Sequence, residues 1–149
     1  MEYTTARLGR IFLLKFSDKD ILVDELERFA RRRHLKAAVL LFLGALRTGS
    51  LVTGPKKPRI PPEPNWKTFK DGWEVMGAGT VFSGTKGPAV HIHAAMGKKN
   101  SALVGCVRKE TSVFLVIEAV VFELKGCRAG KSLDPATGLN LLKIYSGHA

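Results

Sequence analysis

Two histidines stand two residues apart in the stretch 87–97, a segment typical of a short strand. Because successive side chains of a strand point to opposite faces, His91 and His93 project from the same face. A turn signal at 97–100 follows and predicts an antiparallel return strand that carries Cys106. A turn centred near 99–100 places Cys106 across from His93, with Cβ atoms roughly 5 Å apart.

Imidazole nitrogens and a thiolate are ligands that zinc prefers, and three of them leave a fourth position open. The sequence therefore predicts a metal site of His91, His93 and Cys106, with one zinc ion per chain. A structural interpretation stands beside it: a half-buried histidine pair next to a buried free cysteine.

Composition predicts one globular domain over residues 1–149, with 45% hydrophobic and 25% charged residues. No apolar run approaches the roughly 20 residues of a membrane-spanning helix. The N-terminus lacks the basic segment and apolar core of a secretory signal. We therefore expect a cytoplasmic protein with no membrane partner.

The formal net charge is +11, which favours a polyanionic partner such as DNA. The candidate nucleic-acid contacts form two basic clusters: Arg31, Arg32 and Arg33 near the end of a predicted helix, and Lys56, Lys57 and Arg59 in a proline-rich segment. The first cluster also suits a solvated helix end, where cations complement the helix dipole. The second suits a rigid surface loop. In both cases the sequence favours these simpler interpretations.

Apolar patterning predicts an α+β fold around a mostly antiparallel sheet with one main packed helix. A strand at 10–16 precedes an amphipathic helix from 19 to about 34. A strand buried on both faces is expected at 36–46, and a second short strand at 47–53 after a bend. Further strands are predicted at 73–82, 87–97, 101–109 and 113–122, before a turn at 134–139 and an apolar end at 141–145 that packs down.

Glu118 is the one charged residue in the apolar run 113–122, which predicts a buried carboxylate in need of a partner. It could orient a ligand histidine, act as a general acid or base, or pair with an arginine across a subunit interface. The last of these is favoured. Glu74 is a second candidate acid or base.

Several motifs occur together in a familiar order. They are Gly72-Trp73-Glu74-Val75-Met76, Pro88-x-x-His91-x-His93-Ala94, Val104-Gly105-Cys106, Ile117-Glu118-Ala119-Val120 and Asp134-x-x-Thr137-Gly138. With the strand-helix-strand opening, they resemble the plants and prokaryotes conserved (PPC) domain over a core of about residues 10–142.

The resemblance implies a homotrimer built from a mixed or antiparallel sheet with one packed helix, with the 72–76 motif as an oligomer or partner contact. It also implies a metal held by the two histidines and a third histidine in a Gly-His pair. Here Cys106 follows Gly105 at that third position. The fold and the zinc strand also resemble those of acetolactate decarboxylase.

Three functions follow from these observations. The first is a homotrimeric DNA-associated or regulatory module, as many PPC proteins are described, although this chain lacks the Arg-Gly-Arg-Pro hook of the plant relatives. The second is a zinc-dependent lyase, decarboxylase-like enzyme or hydrolase. The third is a purely structural assembly domain. The sequence favours the first by a narrow margin and leaves open whether the chain is an enzyme.

Overall fold

The computed structural model describes residues 1–145, and within that range it contains nine strands and one helix. The elements are β1 (Arg7–Ser17), α1 (Leu22–Arg32), β2 (Ala37–Pro55), β3 (Pro64–Phe69), β4 (Trp73–Gly84), β5 (Gly87–Lys98), β6 (Ser101–Val107), β7 (Ser112–Lys125), β8 (Ala129–Asp134) and β9 (Leu139–Ile144). Neighbouring strands pair antiparallel throughout this range, which confirms the mostly antiparallel sheet with one helix. The end of the domain predicted over 1–149 lies outside the described residues.

The main sheet has seven strands in the order β1-β7-β2-β4-β5-β6, with β3 paired to β2. Both β1 and β2 are antiparallel to β7, so they run parallel to each other with β7 between them. Helix α1 connects them, which makes the expected strand-helix-strand unit. Strands β8 and β9 form a separate hairpin.

Strand β2 closes part of this sheet on itself. The sequence predicted two strands divided by a bend, but the structure has one strand of 19 residues. Gly44 accommodates the bend with φ +142°, and a Cβ at that position would lie 2.2 Å from the carbonyl oxygen of Val116. Only glycine tolerates both constraints. The far half of β2 can therefore pair with β6, where Val52 is opposite Cys106.

Helix α1 is shorter than the predicted 19 to about 34. Lys19 has φ +73°, and Ile21 is extended and bridges to Ser112. The chain is therefore held against β7 until Leu22. The helix ends at Arg32, and its buried side includes Leu26 and Ala30.

The two faces of the main sheet differ. One face is packed in the core with α1, and the opposite face leaves large apolar side chains exposed. Leu41 and Leu43 are 52% and 59% exposed, so the prediction of a strand buried on both faces is wrong for this chain by itself. We call this surface the open sheet face; its exposed apolar residues are Ile11, Leu13, Leu41, Leu43, Met76 and Val104.

The end of the described chain differs in part from the prediction. The expected turn at 134–139 is present, and the Thr137 hydroxyl donates to the Asp134 carboxylate at 2.7 Å. The apolar end does not pack into the core, because it forms β9 with Leu141 and Leu142 exposed. No helix in residues 1–145 is long and apolar enough to cross a membrane.

Candidate metal centre

The β5–β6 hairpin brings together the three predicted metal ligands. The hairpin turns through Lys99, which has φ +52°, and Lys98 pairs with Ser101 on either side of it. This register places His93 directly opposite Cys106. The cross-strand position inferred from the turn signal is therefore the one observed.

The donor atoms of these residues converge. The Nε2 atoms of His91 and His93 lie 3.2 Å apart, and the rings are nearly perpendicular at 84°. The nearest donor atoms of His91, His93 and Cys106 all lie within 4.8 Å of one another. Two nitrogens bound to one tetrahedral zinc at about 2.0–2.1 Å would lie roughly 3.3 Å apart. The donor set thus fits one tetrahedral metal ion.

Burial acts differently on the two kinds of ligand. Both histidine side chains are exposed, whereas Cys106 is buried. His91 is nevertheless partly desolvated, and this partial burial, followed by the charge of His93, lowers the pKa of His91 and so favours the neutral imidazole that binds metals. Burial raises the pKa of the Cys106 thiol. Since the thiolate is the metal ligand, this cysteine gains its ligand form from a nearby cation or from the metal itself.

Strand β4 lies unusually close behind the histidines. Gly79 pairs with Ile92, and a Cβ on Gly79 would lie 2.6 Å from the carbonyl oxygen of His91. A Cβ on Gly77 would lie 2.5 Å from the carbonyl oxygen of His93. The glycines of β4 therefore allow the close approach that fixes the histidine strand.

The two candidate acid-base residues lie away from these donors. Glu118 is exposed on the open sheet face, so the prediction of its burial is wrong for this chain by itself. Strands β2 and β4 separate it from β5, a distance of roughly 14 Å at the usual strand spacing. Glu74 is opposite Gly97, roughly 13 Å along β5 from His93.

Glu123 is a buried carboxylate that the sequence did not predict. The residue is 8% exposed, and its carboxylate accepts hydrogen bonds from Arg10 Nε and Nη2, both at 2.8 Å. The Arg10 hydrogen bond lowers the pKa of Glu123 to about 2. A Cβ on Gly9 would lie 2.7 Å from Glu123 Oε2, so glycine leaves room for the pair. Glu123 directly follows the strand predicted at 113–122, and a charged residue at that position gives no indication of burial.

The two basic clusters are far apart along the sheet. All six side chains are exposed, namely Arg31, Arg32, Arg33, Lys56, Lys57 and Arg59. The arginines precede β2 and the loop cluster follows it, so they mark opposite ends of one long strand. Lys56 is paired with Glu63. One copy of the chain therefore offers two separate basic surfaces.

The predicted partner motif 72–76 begins at a turn and enters β4. Gly72 has φ +73°, and the indole of Trp73 donates to the carbonyl oxygen of Lys70 at 3.0 Å. Val75 is buried, while Glu74 and Met76 are exposed. The motif thus ends on the open sheet face.

A curled antiparallel sheet with one helix and a His-x-His strand defines a recognisable class of domain. The chain belongs to the Plants and Prokaryotes Conserved (PCC) domain family, the PPC domain above, whose model matches residues 3–125. This confirms the family that the sequence motifs resembled. No curated protein matches the chain in sequence.

Solved structures share this fold over nearly the whole chain. A PPC protein from Pyrococcus horikoshii has a TM-score of 0.83 at 21% identity, covering 98% of this chain and 99% of that one. A metal-containing protein from Archaeoglobus fulgidus has a TM-score of 0.82 at 25% identity, covering 95% and 98%. A "Putative DNA-binding protein" from Ralstonia eutropha has a TM-score of 0.74 at 17% identity, covering 89% and 90%.

Proposed function

We propose that this chain is a homotrimeric, DNA-associated regulatory module that holds one zinc ion per subunit. The observation that carries the DNA assignment is the net charge of +11 together with an exposed arginine cluster at the end of α1. The Ralstonia relative, named as above, and one from Bacteroides thetaiotaomicron with a similar name support the same assignment.

The helix-end cluster is the better DNA contact of the two. Among the described residues, no carboxylate forms an ion pair with Arg31, Arg32 or Arg33. In the loop cluster Lys56 already has Glu63 as a partner. Unpaired arginines are free to bind phosphate in the bidentate manner that suits the guanidinium group.

Salt-dependent DNA binding tests this assignment. Replacing Arg31, Arg32 and Arg33 together by Gln should reduce the slope of log K against log salt by about 2 to 3 and weaken binding at every sequence. Fluorescence anisotropy with a labelled duplex at several salt concentrations measures both quantities.

The matched control replaces Lys56, Lys57 and Arg59 by Gln, which removes the same charge. Its slope should stay close to that of the wild type. Equal loss in the two variants would show only a general charge effect and contradict the helix-end contact. A wild type with no salt-dependent binding would leave the structural assembly domain as the better account.

The open sheet face supports assembly with further copies of the chain. Leu13, Leu41 and Met76 lie around an apolar groove of about 790 Å³. Exposed apolar patches of this kind mark interaction sites. A second copy is the occupant that we propose, because the partner motif of the PPC domain ends on this face. Glu118 would then be covered and need a cation, for which Lys15, its partner on β1, is placed.

The metal assignment rests on the convergence of His91, His93 and Cys106, and on the metal-containing relative. Zinc suits two imidazoles and a thiolate. When bound, zinc would stabilise the Cys106 thiolate, link β5 to β6 and polarise an oxygen ligand at its remaining position. The enzyme alternative is not favoured, because Glu74 and Glu118 lie too far from these donors to exchange protons there.

A further inference from the structure

Arg108 lies beside the candidate metal centre. It follows Cys106 by two residues, and its backbone N–H donates to the carbonyl oxygen of Ser50 at 3.1 Å. The ladder between β6 and β2 thus continues to this residue, and alternation places its side chain on the side of Cys106. Its guanidinium carbon is 5.6 Å from the ring centroid of Trp66. Trp66 is opposite Val52, which is opposite Cys106.

Lys131 approaches the same site from β8. Its Cβ lies 3.8 Å from the position that a Cβ on Gly84 would take, and the Cβ of Ala89 lies 3.5 Å from that position. Ala89 precedes His91 by two residues, so both side chains project from one face of β5. The hairpin of β8 and β9 therefore carries Lys131 onto the face that holds the histidines.

The two cations come from different elements. Arg108 directly follows β6, and Lys131 lies on β8. Strand alternation and the neighbours of Gly84 place both on the sheet face that carries His91, His93 and Cys106.

Neither cation has an anionic partner in the part of the chain that the structure describes. Arg10, Arg47 and Lys109 all pair with carboxylates, whereas Arg108 and Lys131 form no such pair. Both are half-buried, and the Nε atom of Arg108 is buried without a hydrogen-bond partner among the described residues. Removing an unpaired cation from full contact with water costs free energy. An anion between them would remove that cost.

We infer that the centre of His91, His93 and Cys106 takes a small oxyanion, a carboxylate or phosphate, which Arg108 and Lys131 hold beside the metal. The inference rests on the proposed metal site and adds the class of its ligand. A guanidinium fork suits the paired oxygens of either anion. The cation–π contact with Trp66 holds the guanidinium in place, so less side-chain freedom is lost when the anion binds.

Cobalt-substituted protein tests this inference on the full chain. Cobalt(II) bound by thiolate and imidazole absorbs visible light and so reports its own ligands. Oxalate and inorganic phosphate should each change the spectrum in a saturable titration. Arg108→Gln and Lys131→Gln should each weaken that binding by about tenfold to a hundredfold, the loss expected for a charged hydrogen bond. Arg108→Lys should recover part of it.

Lys143→Gln is the matched control, since Lys143 is an exposed lysine of the same hairpin and its loss should leave the titration unchanged. A cobalt spectrum that neither oxalate nor phosphate changes would overturn the inference and leave the metal site standing. A response to a short DNA duplex alone would overturn it too, because the ligand would then be a nucleic-acid phosphate. Absence of any cobalt–thiolate absorption would remove the metal site, and the inference with it.

Discussion

At the residue scale, the positions of His91, His93 and Cys106 follow from one turn. Lys99 in the left-handed region sets the hairpin, and the hairpin register places the thiol opposite the second imidazole. Alternation along a strand then puts both imidazoles on one side. These rules act over a few residues, so the sequence was sufficient to predict this part of the site.

Side chains whose environment depends on distant elements were not predictable in the same way. Glu118 was expected to be buried because its neighbours are apolar, yet those neighbours belong partly to the open sheet face. Glu123 is buried because Arg10, on a strand far away in sequence, reaches its carboxylate. The residues next to Glu118 and Glu123 in the sequence do not indicate which of the two carboxylates is buried.

The Arg10–Glu123 pair predicts a specific dependence of stability on pH. Arg10 lowers the pKa of Glu123 from its usual 4.5 to about 2. The stabilisation is therefore fully present above about pH 4.5 and is lost as the pH falls toward 2. Glu123→Gln should lower the free energy of unfolding at pH 7. The difference between the free energies of unfolding at pH 7 and at pH 3 should therefore be smaller in this variant than in the wild type. Urea unfolding of metal-free protein at fixed concentration measures this difference.

Glu2→Gln provides the comparison, because Glu2 is exposed and forms no ion pair among residues 1–145. Its unfolding free energies should match the wild type at both pH values. If Glu123→Gln also matched the wild type at both pH values, the Arg10–Glu123 pair would have no effect on stability.

At the scale of elements, β2 organises the molecule because it pairs with β3, β4, β6 and β7 along its length. Continuous pairing carries it through the bend at Gly44 as one strand, whereas the sequence predicted two strands divided by a bend. A glycine in an apolar run signals a turn or a bulge equally well. The bulge in β7 opposite Gly44 shows that this glycine marks a bulge and not a turn. Because β7 is far from Gly44 in the sequence, the residues around Gly44 could not indicate this.

The close approach of β4 to β5 leads to a testable prediction at this scale. Gly79→Ala would place a Cβ 2.6 Å from the carbonyl oxygen of His91, so β4 and β5 must move apart. We expect a loss of about 1–3 kcal/mol in unfolding free energy, as for overpacked sites, together with weaker metal binding. Chemical denaturation and a zinc competition titration measure the two effects.

Gly97→Ala on β5 is the control, since its nearest neighbour to an added Cβ is 4.0 Å away. Its stability should stay within about 0.5 kcal/mol of the wild type. Equal stability of the two alanine variants would show that close packing of β4 against β5 does not matter.

At the scale of the whole molecule, one sheet face joins the proposed interface to the proposed metal centre. Leu13 and Leu41 are both opposite Val120, Leu41 is also opposite Ala78, and Ala78 is opposite His93. Directly opposed residues share a face. Assembly through this face would therefore bring further copies of the chain near the histidines.

The oligomeric state tests that arrangement. Leu13→Glu and Leu41→Glu each place a charge on the open sheet face, where a partner would bury it at high cost. Sedimentation velocity should show a trimer for the wild type and a monomer for each variant. Leu133→Glu changes a leucine that is also exposed but lies on β8, and it should remain trimeric. A monomeric wild type would contradict the proposed assembly.

The metal content of the purified protein tests the central claim most directly. Elemental analysis of the wild type should give one zinc per chain, and His93→Ala should lose it because the second imidazole is required. His34→Asn, which removes an exposed histidine away from the site, should keep the metal. A folded wild type without stoichiometric metal, or a His93→Ala variant that retains it, would contradict the assignment of His91, His93 and Cys106.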